Sequence, residues 1–163
     1  MNNWADKLLN EVKASFQGVP SLKIEAKKLI PNATLPTYGT KGAAAMDFYS
    51  DSTVFVPAGG SAIVTTGIAI ALPEGTLMQL HGRSGLAFKH DIRLANSVGI
   101  IDSDYRGEIK VKLHNDGTED YQVSEGDRIA QGIVSTYIKA ELIEATSLDQ
   151  TDRGSGGFGS TGT

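Results

Sequence analysis

Between residues 21 and 138 the chain is written in short apolar or alternating runs, each broken by Gly, Pro, Asn or Asp before it can extend. "SLKIEAKKLI", "STVFVPAGGSAIVTTGIAIALP", "GTLMQL", "GEIKVKLHN" and "RIAQGIVSTYI" carry the β-branched and apolar side chains that favour a pleated, half-buried backbone. In "EIKVKL", Ile109, Val111 and Leu113 share one face while Lys110 and Lys112 share the other. That alternation marks an antiparallel strand with one wet side. A parallel sheet needs a helical crossover between successive strands, and no long helix separates these runs. The spacing predicts an all-β domain built as a sandwich, jelly roll or barrel. No internal repeat competes with that reading.

Such a domain has to stand on its core, because the 163 residues include no cysteine. Disulfides, thiolate metal sites and thiol nucleophiles are excluded, and a reducing compartment is permitted. A hydrophobic content of 40% suits one domain of this length. The net charge is −4, and no Lys/Arg run or interleaved basic and aromatic pattern exists to line a nucleic-acid groove. A small phosphorylated ligand needs only a few placed cations. The chain has neither a secretory-type apolar segment at its start nor an apolar run of about 18 residues, which predicts a cytoplasmic or nuclear protein away from the membrane.

Two segments flank the β region. Trp4, Leu8, Val12 and Phe16 recur four apart, after Asn2 and Asn3 and before Gly18 and Pro20, the signature of a short amphipathic helix. It suits packing on its own domain or a neighbouring subunit, or docking to a protein partner. At the other end, "RGSGGFGSTGT" (153–163) holds a single apolar side chain, Phe158. A segment with so little to bury cannot offset its ordering entropy, so it stays loose or is ordered by something else. Gly154, Gly156 and Gly159 satisfy G-x-G-x-x-G formally, but only four residues follow, and that motif works by delivering phosphate to a following helix. What survives is the chemistry: free backbone N–H groups, the hydroxyls of Ser160 and Thr161, and the Arg153 guanidinium suit phosphate oxygens. The expected organisation is a helical extension over 1–20, a β domain over 21–152 and a flexible arm over 153–163.

Within the β domain, "GRSGLAFKH" (82–90) follows an apolar run and offers Arg83, Ser84 and Gly85 to an anion. "GIIDSDYRGE" (99–108) reads as a hairpin tip, where Asp102 and Asp104 share a face if extended and one carboxylate can orient and deprotonate a water. Turn aspartates satisfying their own backbone are the plain alternative. "GDRIAQG" (126–132) leads into a strand and leaves Gln131 to donate to an anion. His81, His90 and His114 lack metal-type spacing and read as structural or solvated. Glu141 and Glu144 form one E-x-x-E, short of the paired acidic helices that hold magnesium in helical nucleotide pyrophosphohydrolases.

In order, "GAAAMDFYS" (42–50), "GRSGLA" (82–87), "GIIDSDYRGE" (99–108), "GDRIAQG" (126–132) and "RGSGGFGST" (153–161) resemble the five motifs of the homotrimeric deoxyuridine triphosphatases, the dUTPases. The resemblance implies a jelly-roll-like β fold and Mg²⁺-dependent hydrolysis of dUTP to dUMP and pyrophosphate, limiting uracil in DNA and supplying dUMP for dTMP synthesis. It implies active sites assembled from three subunits. Asp102 would be the general base; Asn96, Gly99 and the neighbouring backbone would read uracil; Tyr105 would pack beneath the deoxyribose and leave no space for a 2′-hydroxyl. Arg83, Ser84, Gly85 and Gln131 match phosphate-contacting positions, Arg153, Gly159, Ser160 and Thr161 match those around the γ-phosphate, and Phe158 matches the ring stacked on the base. No direct protein ligand for Mg²⁺ is implied: phosphates and water would hold it, with Asp47 organising the water shell. The departures from the family pattern are Ala45, Met46, Gly82 and Gly132, and the first and last of these put local packing and trimer contacts in question. A dCTP deaminase resembles dUTPases in fold but needs a glutamate beside the cytosine, whereas "IDSDYRGE" places Asp102 and Tyr105 in the dUTPase manner.

Overall fold

The computed structural model describes residues 21–157, so the amphipathic segment 1–20 and residues 158–163 lie outside the described residues. The strands are β1 (Glu25–Lys28), β2 (Thr37–Tyr38), β3 (Met46–Tyr49), β4 (Val54–Val56), β5 (Ser61–Thr65), β6 (Ile68–Ala71), β7 (Thr76–His81), β8 (Ile92–Leu94), β9 (Val98–Ile101), β10 (Lys110–Asn115), β11 (Tyr121–Val123) and β12 (Arg128–Thr136). A single short helix among the described residues, α1 (Ser84–His90), interrupts them. Every strand pairing is antiparallel, as expected for runs joined without crossover helices.

Four sheets result: β2-β3-β12-β7-β9, β5-β10-β8, β1-β6 and β11-β4. Each contributes to one core, in which Phe48, Val56, Val64, Ile68, Met78, Ile92, Leu113 and Val123 are essentially sealed from solvent. The alternation in β10 holds, with Val111 and Leu113 buried and Lys110 and Lys112 exposed. The long run 52–73 divides into β4, β5 and β6. The turn Pro57–Gly60 separates the first two, closed by the Gly60 N–H donating to the Pro57 carbonyl at 2.9 Å.

One expectation is corrected. Residues 99–108 are not the tip of a hairpin, because β9 pairs with β7 whereas β10 pairs with β5 and β8. The segment instead crosses from the five-stranded to the three-stranded sheet, drawn across by Ile109, which is buried and donates its N–H to the Ile68 carbonyl at 2.8 Å. Residues Ser84–His90 form α1, although none of them is buried. α1 ends at Asp91, whose left-handed backbone (φ 54°) lets its N–H bond the Leu86 carbonyl.

β12 carries a bulge between Arg128 and Ala130. Ile129 and Ala130 are consequently both buried, and strict alternation is lost. Downstream, Gly132 answers the packing question raised by its departure from the family pattern. A Cβ there would stand 2.6 Å from Phe48 Cε2 and 2.9 Å from Met78 Sδ, so those two side chains already fill the volume. Gly132→Val should therefore lower the free energy of unfolding by about 1–3 kcal/mol through overpacking. A urea titration reads it, and an unshifted midpoint would show that the slot is not closed.

Beyond Thr136 the described chain forms neither strand nor helix. Ile138, Leu142, Ile143 and Leu148 are 84% or more exposed there, an apolar series left uncovered by the other described residues.

Candidate active site

Cross-strand partners share a face of a sheet, and successive residues alternate. In the five-stranded sheet one row runs Thr37–Asp47–Gln131–His81–Val98. The next row, Tyr38–Met46–Gly132–Leu80–Gly99, points to the other side. Gly132 and Leu80 in that second row are buried, which makes its side the core face. The polar side chains of the first row therefore project outward together.

Outside this face lies a cavity of about 700 Å³ lined by Asp47, His81, Arg83, Ser84 and Gln131. Asp47, only 13% exposed, sits between two guanidinium groups: Arg83 Nε donates to Oδ1 at 2.9 Å and Arg128 Nη1 to Oδ2 at 3.2 Å. Arg83 Nη1 also donates to the Arg128 carbonyl at 3.2 Å. Nη2 retains its two N–H donors for a ligand. Gln131 Nε2 donates to the Gly82 carbonyl at 2.8 Å, which orients the amide and leaves its second N–H. Gly85 lines a separate hollow of about 310 Å³ with Arg83 and Lys89. Arg128 was not singled out from the sequence, since "DRIAQG" puts it on the face of Ala130 unless a bulge intervenes.

Asn96 and Gly99 line a cavity of about 250 Å³ on the other side of the sheet, floored by Leu80, Leu94 and Val111. Ser97 takes a left-handed conformation (φ 61°), and the Val98 N–H returns to the Asn96 carbonyl at 2.6 Å. That turn brings the Asn96 amide beside Gly99: a Cβ on Gly99 would lie 3.5 Å from Asn96 Nδ2.

Asp102 and Tyr105 line a further cavity of about 200 Å³, which shares the lining residue Lys110 with the cavity of Asn96 and Gly99. The turn that carries them is braced internally. The Tyr105 N–H donates to the Asp102 carbonyl at 3.2 Å, and Arg106 Nη1 donates to the carbonyls of Ser103 at 2.6 Å and Tyr105 at 2.9 Å. The Asp102 carboxylate remains exposed.

The residues expected at one site thus fall apart within one chain: Asp47, Arg83, Ser84 and Gln131 line the outer cavity, Asn96 and Gly99 a cavity on the other side of the sheet, and Asp102 and Tyr105 a cavity at the turn beyond β9. Arg153 is exposed in the strandless stretch after β12, and Phe158, Gly159, Ser160 and Thr161 lie outside the described residues. Of the histidines, His114 faces Ser61 Oγ through Nδ1 at 2.9 Å and Asp116 through Nε2 at 3.2 Å. The Arg93 guanidinium beside Asp116 holds that carboxyl below its ordinary range. His90 packs on Tyr121 with ring centroids 4.9 Å apart.

A dUTPase family model matches residues 31–162. The chain belongs to the dUTPase family. With that membership it is a nucleotide-metabolising hydrolase. The deoxyuridine 5'-triphosphate nucleotidohydrolase of Wolinella succinogenes is 53% identical over 141 residues, covering 86% of this chain and 95% of that relative. The corresponding protein of Helicobacter pylori strain J99 is 47% identical, covering 86% and 97%. The solved dUTPase of Staphylococcus bacteriophage 80alpha with dUPNHPP superposes with a TM-score of 0.81 at 26% identity, covering 88% of this chain and 100% of that one. No helix among the described residues of this dUTPase-family chain is long and apolar enough to cross a membrane.

Proposed function

We propose that the chain hydrolyses dUTP to dUMP and pyrophosphate by attack of a water on the α-phosphorus, with Asp102 as the general base that aligns the water and takes its proton. The observation that carries this reading is that Lys110 lines two cavities, one with Asn96 and Gly99 and the other with Asp102 and Tyr105. A pyrimidine in the first leaves its sugar over Tyr105 and its innermost phosphate toward the carboxylate. Asn96 and the backbone around Gly99 then read the base edge, and the Tyr105 ring excludes a 2′-hydroxyl. A general base of this kind contributes about 10² to 10⁴ in rate.

The phosphate-binding groups Arg83, Ser84, Gly85 and Gln131 serve a nucleotide whose base lies in another copy. Asp47 and Gln131 project from the outer face of the sheet that carries Gly99 and Leu80 on its inner face, so one chain cannot wrap a single nucleotide with both groups. A homotrimer with shared sites resolves this. The exposed apolar residues after β12 suit contact with an adjacent copy. The arm then closes over the site, with Arg153, Gly159, Ser160 and Thr161 on the γ-phosphate and Phe158 on uracil, excluding water and strengthening each charged contact.

Among the described residues no three His, Cys, Asp or Glu side chains come together as a metal cage. A single carboxylate beside a triphosphate fits magnesium, which keeps several waters and relies on substrate phosphates. Asp47, lining the outer cavity, would hold such a water shell while it positions Arg83; the ion would supply charge neutralisation of the phosphates. The product then serves dTMP supply, and the removal of dUTP keeps uracil out of DNA, in the cytoplasm.

Pyrophosphate release from dUTP, dTTP, UTP and dCTP is the direct test. Only dUTP should be cleaved well; equal rates on UTP would contradict the place given to Tyr105. Asp47→Ala should raise KM for dUTP about tenfold while kcat changes less, because Arg83 loses the carboxylate that aims it and tenfold is about 1.4 kcal/mol, within reach of one charge-assisted hydrogen bond. Unchanged KM would mean that Arg83 does not need the pairing.

A further inference from the structure

The tyrosine that this reading sets beneath the sugar has little to hold it. Tyr105 is 43% exposed, and its ring lies against the backbone of Gly107, where a Cβ would come within 2.5 Å of its Oη. Its hydroxyl donates to the Glu108 carbonyl at 2.9 Å. Gly107 transmits little rigidity, so Glu108 is the first residue after the turn with a side chain tied into the domain.

That tie is specific. Glu108 Oε1 accepts the Gly67 N–H at 2.9 Å, and Oε2 lies 3.5 Å from Lys110 Nζ. Gly67 is a fixed peg: it is buried, its φ is +64°, and a Cβ there would meet Ala33 Cβ and Ile30 Cγ1 at 2.8 Å. On the other side of the same peptide, the Ile109 N–H is held by Ile68. The carbonyl under the Tyr105 hydroxyl is thereby clamped from both ends.

We propose that Glu108 is a positioning residue for sugar discrimination, anchoring Tyr105 through the Gly67 amide so that the ring does not yield to a ribonucleotide; this rests on the reading of Tyr105 as the surface beneath the sugar. Rejecting a ligand that merely adds a hydroxyl is intrinsically weak. A steric barrier is only as high as the ring is stiff. Lys110, lining both the base cavity and the Asp102 cavity, couples the same clamp to both.

The test compares kcat/KM for dUTP and UTP in the full-length wild type, Glu108→Ala, Glu108→Gln and Tyr105→Ala. In Glu108→Ala the dUTP/UTP ratio should fall about tenfold, chiefly through a lower KM for UTP. Glu108→Gln keeps an acceptor for the Gly67 amide and should hold the wild-type ratio. A loss of folded enzyme would scale both substrates alike and leave the ratio intact. If Glu108→Ala does not fold, Glu108→Asp, a methylene too short for Gly67, reads the same anchor and should lower the ratio. An unchanged ratio in the Glu108 variants beside a collapsed ratio in Tyr105→Ala overturns the clamp and leaves the sugar reading standing. An undiminished ratio in Tyr105→Ala removes the sugar reading itself.

Discussion

Asp102→Asn should abolish dUTP cleavage, with kcat falling by about 10² to 10⁴, while an unhydrolysable dUTP analogue still binds. The amide is nearly isosteric with the carboxylate and cannot accept a proton from water. The turn itself should survive, because Asp102 contributes to it through its backbone carbonyl, which accepts the Tyr105 N–H. Its side chain is exposed and has no recorded partner among the described residues, so little stability rides on the charge. Pyrophosphate release gives the rate and calorimetry gives the affinity. Residual turnover above about a tenth of wild type would move the base to another group, with Asp104, on the same turn, the next to be replaced.

Removal of residues 153–163 should leave the fold intact and most of the activity lost. The hydrogen bonds recorded within 151–156 are local: the Gly154 N–H to Thr151 and the Gly156 N–H to the Arg153 carbonyl. Among its described residues, 153–157, none belongs to the core, so their deletion opens no cavity. Against that, the deletion takes away a guanidinium for the outer phosphate and an aromatic ring for the base. Stacking on one base is worth about 1–3 kcal/mol, and a hydrogen bond to a charged group about 1.5–3 kcal/mol. Together these correspond to a drop of roughly 10² to 10⁴ in kcat/KM. Thermal unfolding and size-exclusion chromatography should show an unchanged assembly. A variant that unfolds or dissociates would make the segment a structural element instead of a lid.

Much of the chemistry was legible in the chain because it is local. Asp102, Tyr105 and Arg106 occupy one turn, and Arg83, Ser84 and Gly85 are consecutive, so their order and types survive without any knowledge of pairing. β10 was equally plain, since a strand with one buried face must alternate. The less visible elements lacked such a signal. β2, β8 and β11 are two or three residues long and acquire strand geometry from partners far off in sequence. α1 buries none of its residues, so no apolar stripe announces a helix. The hairpin expected over 99–108 failed because pairing depends on where Ile101 and Ile109 find their neighbours, and these belong to different sheets.

Residue types in order, one-sided alternation and the position of turn-forming glycines were enough to mark candidate site residues and the β class, since each acts within a few residues of chain. Which groups meet was a tertiary decision. The bulge at Ile129 rotates Arg128 from the face of Ala130 to that of Gln131 and so brings its guanidinium to Asp47. Strand register puts Asp47 and Gln131 on one side of a sheet and Gly99 and Leu80 on the other. Hydrogen bonds between strands distant along the chain set both outcomes, and a slip of one residue would reverse either.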